Sequence, residues 1–227
     1  MMTDAVAVPT NWLAALSRYL RRHRFAHFAG LLRTVPPPVT ILDVGGDELF
    51  WRQVGALGQP GLAVTLLNCE AQPTTHPAVR TLLGDARDMQ QFADDAFDVV
   101  FSNSVIEHVG DLADQARMAT EVMRVGRRYY VQTPNRYFPI EPHFLWPYFQ
   151  FYPYALRAWI LHHGQVALER GTLRWGRAAS YEAALAGARS IRLLNAHELR
   201  TLFPGGRLWR ERLVGLTKSL VVYGNWD

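Results

Sequence analysis

Phe97-Asp98-Val99-Val100-Phe101-Ser102-Asn103-Ser104-Val105-Ile106-Glu107-His108-Val109 is the stretch that decides the fold. Its first half is an apolar run of buried-strand length. Its second half turns polar and then enters a helical segment. An α/β protein that binds a ligand needs this order, with apolar residues inside the sheet and contacting side chains at the strand's carboxyl end.

Three more strand-to-loop transitions stand before it. Val39 to Val44 reads as a buried strand ending in Gly45-Gly46. Leu62 to Leu67 closes on Asn68, and Val79 to Leu83 closes on Gly84-Asp85. After the quoted stretch, Asp111 to Val125 has the apolar spacing of a helix and Arg128 to Gln132 that of a fifth strand. Phe50 to Leu57 and Arg87 to Phe92 are expected to be helical. Strands alternating with helices predict a doubly wound, mostly parallel sheet, an α/β fold. Near the C-terminus, Ala196 to Leu202 reads as a short helix. Leu208 to Val214 and Ser219 to Tyr223 read as two edge strands, bringing the sheet to seven.

Two segments stand outside this rhythm. Residues 1–38 read as an N-terminal helical segment. In it Trp12, Leu13, Leu16, Leu20, Phe25, Phe28 and Leu31 recur at helical spacing, and Pro36-Pro37-Pro38 stops the helix. Residues 136–190 read as a helical insertion after the fifth strand, dense in aromatics from Phe138 to Trp159. The α/β core then spans 39–135, and 191–227 completes its sheet with a helix and an edge hairpin.

Composition narrows the function. With 49% hydrophobic and 19% charged residues, the 227-residue chain is an ordinary globular protein with a real core. Its net charge of +4 is spread along the chain rather than blocked, and Lys218 is the only lysine among its basic residues. A single cysteine, Cys69, excludes an internal disulfide and fits a cytoplasmic location. Asp4 and Pro9 interrupt any signal-peptide pattern. The apolar stretch Phe144 to Leu161 contains Pro147, Pro153, Gln150 and Arg157, which argues against a membrane span.

The first strand's loop, Asp43-Val44-Gly45-Gly46, allows a sharp turn and a close approach to a ligand. Asp47, Glu48 and Leu49 follow, so the dinucleotide fingerprint is absent and a nicotinamide oxidoreductase is disfavoured. Asn68, with Glu70 beyond it, stands where doubly wound folds hold ribose hydroxyls. Asp85 can accept from an exocyclic amine, or it can cap a following helix.

These segments resemble the class I S-adenosylmethionine-dependent methyltransferases, in particular the methyltransferase type 11 group, over roughly residues 39–135. The resemblance implies a Rossmann-like methyltransferase fold and S-adenosyl-L-methionine as cofactor. It implies that Asp43, Gly45 and Gly46 meet the methionine part and that Asn68 and Glu70 hold the ribose. Asp85 and Ala86 would frame the adenine, and Asn103 and Ser104 would lie by the sulfonium. Asp47 and Leu49 replace glycines of the family pattern, and Asn68 replaces an acid.

The implied reaction is methyl transfer to a small or lipid-like molecule. For a hydroxyl acceptor, candidate bases are His108 and the pair Glu141 and His143 in Phe138-Pro139-Ile140-Glu141-Pro142-His143-Phe144. His108 could instead bond a backbone group, and Glu141 and His143 could simply fix the chain where the insertion begins. No His/Asp/Glu spacing suggests a metal. The aromatic insertion reads as a small core, as a lid over an apolar acceptor pocket, or as a peripheral membrane contact. Two alternatives to a small-molecule enzyme are a nucleic-acid methyltransferase and a non-catalytic cofactor-binding relative. Nucleic acid is not the expected partner, because Asn103-Ser104-Val105-Ile106 stands where amino-methylating nucleic-acid enzymes carry Asn-Pro-Pro-Tyr. The sequence sets no oligomeric state.

Overall fold

The computed structural model describes residues 2–9, 11–169 and 172–226. In chain order the elements begin with β1 (Met2–Pro9), α1 (Asn11–Leu32), β2 (Val39–Val44), α2 (Glu48–Gln53), β3 (Leu62–Asn68) and β4 (Val79–Leu83). Next come β5 (Val99–Asn103), α3 (Leu112–Val125), β6 (Tyr129–Pro134), β7 (Ile140–Glu141), β8 (Trp146–Pro147) and α4 (Tyr154–His163). The chain closes with β9 (Gln165–Glu169), β10 (Thr172–Ala178), α5 (Tyr181–Arg189), α6 (Ala196–Leu202), β11 (Arg207–Leu213) and β12 (Leu216–Gly224).

Seven strands form the main sheet in the order β11-β12-β6-β5-β2-β3-β4. The five from β6 to β4 run parallel, while β12 pairs antiparallel with both β6 and β11. The central parallel strands are largely buried, and β6 has no exposed position, as continuous apolar runs require; the edge strand β4 exposes Arg80, Leu82 and Leu83. One face buries Phe28 of α1 and Trp51 of α2 against Phe101, Tyr130 and Val221. The other buries Met118 and Val122 of α3 and Leu199 of α6 against Val100, Val131 and Val222. Emptying a position such as Phe28, fully buried among five aromatic rings, costs about 3–5 kcal/mol. The direction of chain crossover reverses at β2, between β3 and β5, and doubly wound folds open their ligand crevice at such a point.

Local chemistry sets the element ends and corrects two expectations. α2 begins earlier than expected, at Glu48, because Asp47 caps it: its Oδ1 accepts from the Phe50 amide at 2.6 Å. The acids that break the glycine pattern therefore start a helix. Residues 87–92 are not helical. Glu121 of α3 accepts from the Met89 amide, and Arg124 donates to the carbonyls of Met89 and Phe92. Those backbone groups are satisfied from α3 instead of by a helix of their own.

The insertion is not wholly helical, nor is the N-terminal segment. β9 and β10 form an antiparallel pair, and β1 adds to it in a separate three-stranded sheet. The alternation Gln165-Val166-Ala167-Leu168-Glu169 has the strand period, but it is short enough to be lost among helical segments. Beside this sheet α4 and α5 pack through Ala158, Leu161, Ala184 and Ala188, with Phe149 buried beneath. Tyr148, Phe151, Tyr154 and Trp159 remain exposed. The expected apolar positions Trp12, Leu13 and Leu16 lie outside the residues whose side chains are described. Among the described residues no helix is long and apolar enough to cross a membrane.

Candidate active site

The carboxyl ends of β2, β3 and β4 open on a crevice of about 610 Å³. Gly45, Asn68, Glu70, Asp85 and Ala86 line it, joined by Val105 and His108 from the segment after β5. Gly45 sits at φ +76°, and a Cβ there would lie 2.5 Å from Val105 Cγ2. The loop meets the β5 segment so closely that only glycine fits. Asn68 Nδ2 donates to the Gly46 carbonyl at 3.0 Å, tying the tip of β3 to this loop. Both Asp85 oxygens accept from the Arg87 guanidinium, and Oδ1 also accepts from the Arg87 amide at 2.8 Å. Those Arg87 bonds hold the Asp85 carboxyl below its ordinary pKa, so it stays an acceptor.

Four residues expected to meet the cofactor lie elsewhere than on the crevice wall. Asp43 is buried under the loop, its Oδ2 accepting from Trp51 Nε1 at 2.7 Å. A Cβ on Gly46 would overlap that carboxylate, so Gly46 is the space Asp43 needs. Burial raises the Asp43 pKa to about 7; the Trp51 bond opposes this and Asp47 adds to it. Asn103 Oδ1 accepts from Arg24 Nη1 at 3.0 Å. Ser104, at φ +61°, donates to Gln132 Oε1 at 2.9 Å. It lines a second cavity of about 240 Å³ with Arg24, Gln132, Phe138, His143 and Lys218.

The candidate bases come together between these two spaces. His108 lines the crevice and His143 lines the second cavity, with ring centroids 4.8 Å apart. Glu141 Oε1 lies 2.6 Å from His143 Nδ1, and its Oε2 accepts from the amides of His143 and Phe144, both at 2.8 Å. The far nitrogen, His143 Nε2, is 4.0 Å from Oε1 of the buried Glu107. Glu107 Oε2 accepts from Thr133 Oγ1, while Oε1 has no hydrogen-bond partner. Burial raises the Glu107 pKa to about 7 against the opposing pull of His143. Burial opposes the charged form of His143, yet the Glu141 bond and the charges of Glu141 and Glu107 outweigh it and raise the pKa. His108 goes the other way, to about 4, through burial and then the neighbouring His143. The nearest ligand atoms of Glu107, His108 and His143 lie within 4.8 Å of one another, close enough to gather round a cation.

With this geometry the comparisons with known proteins agree. Residues 60–129 match the family model described as a methyltransferase domain, and the strand order is that of a doubly wound sheet. Over that stretch the chain is similar to methyltransferase domains. Its fold resembles that seen in the "Complex between the Haloferax volcanii Trm112 methyltransferase activator and the putative methyltransferase". That likeness covers 94% of this chain and 93% of the other, at 16% identity and a TM-score of 0.50. The chain is also similar to two Mycobacterium tuberculosis proteins, "Uncharacterized protein MT1557" (strain CDC 1551 / Oshkosh) and "Uncharacterized protein Rv1509" (strain ATCC 25618 / H37Rv). Each is 38% identical over 73 residues, which is 32% of this chain. The match spans 25% of those relatives' length.

The crevice suits S-adenosylmethionine in the chemistry of its donors and acceptors. Gly45 supplies the close backbone approach, Asn68 and Glu70 supply polar groups at the tip of β3, and Asp85 supplies a fixed acceptor at the tip of β4. Sequence reading missed Glu107, Arg87, Gln132 and the position of Lys218. Glu107 directly precedes His108, and a 3-10 turn over Ile106–His108 turns it inward. No local pattern announces that turn.

Proposed function

We propose that this protein transfers the methyl group of S-adenosylmethionine to a hydroxyl group of a small molecule. The observation that carries this reading is the Glu141–His143 pair standing beside the crevice, with His108 between. When bound, S-adenosylmethionine supplies an electrophilic methyl group on a sulfonium. Asn68 and Glu70 take the ribose hydroxyls, and Asp85, oriented by Arg87, accepts from the adenine amine. Asp43 and Trp51 hold the glycine loop in shape from below rather than touching the ligand.

His143 acts as the general base. Glu141 accepts a hydrogen bond from Nδ1–H and so fixes the tautomer that leaves the Nε2 lone pair to take a hydroxyl proton. As the imidazolium forms, the carboxylates of Glu141 and Glu107 stabilise it, the role a buried acid plays beside a catalytic histidine. His108, uncharged near neutral pH, adds no cation beside the sulfonium. The cavity on the His143 side, about 240 Å³, favours a compact acceptor over a long-chain lipid.

Calorimetry with S-adenosylhomocysteine, followed by a methyl-transfer screen over hydroxylated small molecules, tests the reading. His143→Ala is expected to lower the transfer rate by about 10²–10⁴-fold while cofactor-product affinity is kept. Absence of binding to wild-type protein, or full transfer by the variant, would overturn it.

A further inference from the structure

The second cavity has both apolar and polar lining. Phe138, Ile140 and Leu145 supply apolar wall. Lys218, Arg24 and Gln132 supply polar and charged groups. Gln132 is wholly buried; its Oε1 accepts from Ser104, and its Nε2 has no hydrogen-bond partner. An unpaired buried donor is costly unless something fills its need. The charges do not balance either. Glu211 of β11 serves two of the cations that line the cavity. Arg24 Nε lies 3.2 Å from Oε1, and Lys218 Nζ lies 3.8 Å from Oε2. Arg21 adds to the positive field at Lys218. Arg24 of α1 and Lys218 of β12, both lining the cavity, thus share the one carboxylate of Glu211, beside an orphan amide donor.

We infer that this cavity seats the methyl acceptor, and that the acceptor carries an anionic oxygen group, a carboxylate or phosphate, held by Lys218 and Gln132. The inference rests on the methyl-transfer reading above and extends it to the class of substrate. An anion there satisfies the Gln132 Nε2 donor and supplies the missing counter-charge. The apolar wall takes the rest of the molecule. At about 240 Å³ the space falls below the roughly 300 Å³ lower end for drug-sized ligands, so one ring with a charged substituent fits. The hydroxyl to be methylated then lies toward His143, which closes the same cavity. Burial and the neighbouring Arg24 lower the Lys218 pKa to about 8, with Glu211 opposing. Its charge is thus present at neutral pH and is lost just above.

Calorimetry on the full chain saturated with S-adenosylhomocysteine, using 4-hydroxybenzoate, phenyl phosphate and the uncharged 4-hydroxybenzyl alcohol, provides the test. At neutral pH at least one of the anionic probes is expected to bind about tenfold or more tightly than the alcohol. That preference should fade as pH rises through about 8, where Lys218 loses its charge. Lys218→Met should erase it, and Lys218→Arg should keep part of it, with the S-adenosylhomocysteine affinity of both variants reporting that they fold. Equal binding of charged and neutral probes, binding of none, or a preference that survives Lys218→Met overturns the inference. The methyl-transfer reading is judged separately, by S-adenosylhomocysteine binding to the wild-type protein alone.

Discussion

Oε1 of Glu141 lies 2.6 Å from Nδ1 of His143, and the same carboxylate accepts the two backbone amides that follow it. The acid is therefore held by the backbone it folds around, and the imidazole is held by the acid. That bond orients His143 and helps raise its basicity.

The pH dependence of transfer follows from that bond. Glu141, Glu107 and the His108 ring face His143, and the two acids raise its pKa above the ordinary 6.5. A base works only once deprotonated, so transfer should rise with pH and reach its midpoint above about 6.5. Glu141→Gln keeps a side chain of similar shape but removes the charge. Its midpoint should move down while its maximal rate falls. A pH–rate profile of both proteins measures this, and an unmoved midpoint would separate Glu141 from the chemistry.

The cluster of Glu107, His108 and His143 is compact enough for a cation, so removing metal is informative. Proton handling by His143 predicts that dialysis against a chelator leaves the transfer rate unchanged. A rate lost on chelation and restored by a divalent ion would reassign the three side chains.

Asp43 makes a stability prediction. In the unfolded chain its carboxyl ionises near 3.8, whereas in the folded protein, where burial dominates, it does so near 7. Between those values the folded state holds the extra proton, so stability falls as pH rises. Asp43→Asn can still accept from Trp51 and does not titrate. Relative to wild type, the variant should gain about 2–4 kcal/mol between acid and neutral pH. Denaturant titrations of both proteins at pH 4 and pH 8 give the difference, and parallel curves would show that Asp43 is not the titrating group.

The sheet and the crevice were legible because each core strand is an apolar run followed by Gly, Asn or Asp at its carboxyl end. Gly45, Asn68 and Asp85 share one space for that reason. Asp43 and Ser104 stand on the expected loops, but Asp43 is buried beneath its loop and Ser104 lines the second cavity. A strand's alternation says which residues point together, but not which of two spaces lies above the loop. Lys218 stood out as the only lysine. Its place in the cavity that Gln132 also lines depends on β12 running antiparallel beside β6, with Ser219 level with Pro134. That pairing joins residues more than eighty positions apart, and no local pattern encodes it. Residues 87–92 look helical in isolation, but Glu121 and Arg124 take their backbone bonds.

Arg87 is expected to serve Asp85 rather than the fold. The pair is more than a third exposed, where an ion pair adds about 0–1 kcal/mol to stability. Arg87→Met should therefore leave the melting temperature almost unchanged. Released from the guanidinium, the Asp85 carboxylate loses its fixed orientation, and S-adenosylhomocysteine affinity should fall by about three- to tenfold. Calorimetry and thermal melting together separate the two effects. A large drop in melting temperature would instead make Arg87 a structural residue.

Gly45 offers the sharpest test of the crevice, because two different costs meet at one atom. Any side chain there must adopt φ +76° and place its Cβ 2.5 Å from Val105 Cγ2. The backbone conformation alone costs about 1–2 kcal/mol for alanine, and the overlap with Val105 adds to it. Val105→Ala removes the methyl groups that the new Cβ would strike. Gly45→Ala should therefore lose cofactor-product binding and stability. The double variant should recover the part due to overlap and keep the part due to φ. Binding and denaturation measured across the four proteins of this cycle give the coupling directly. Additive losses would mean that the loop and the β5 segment do not meet, and the crevice as described would not exist.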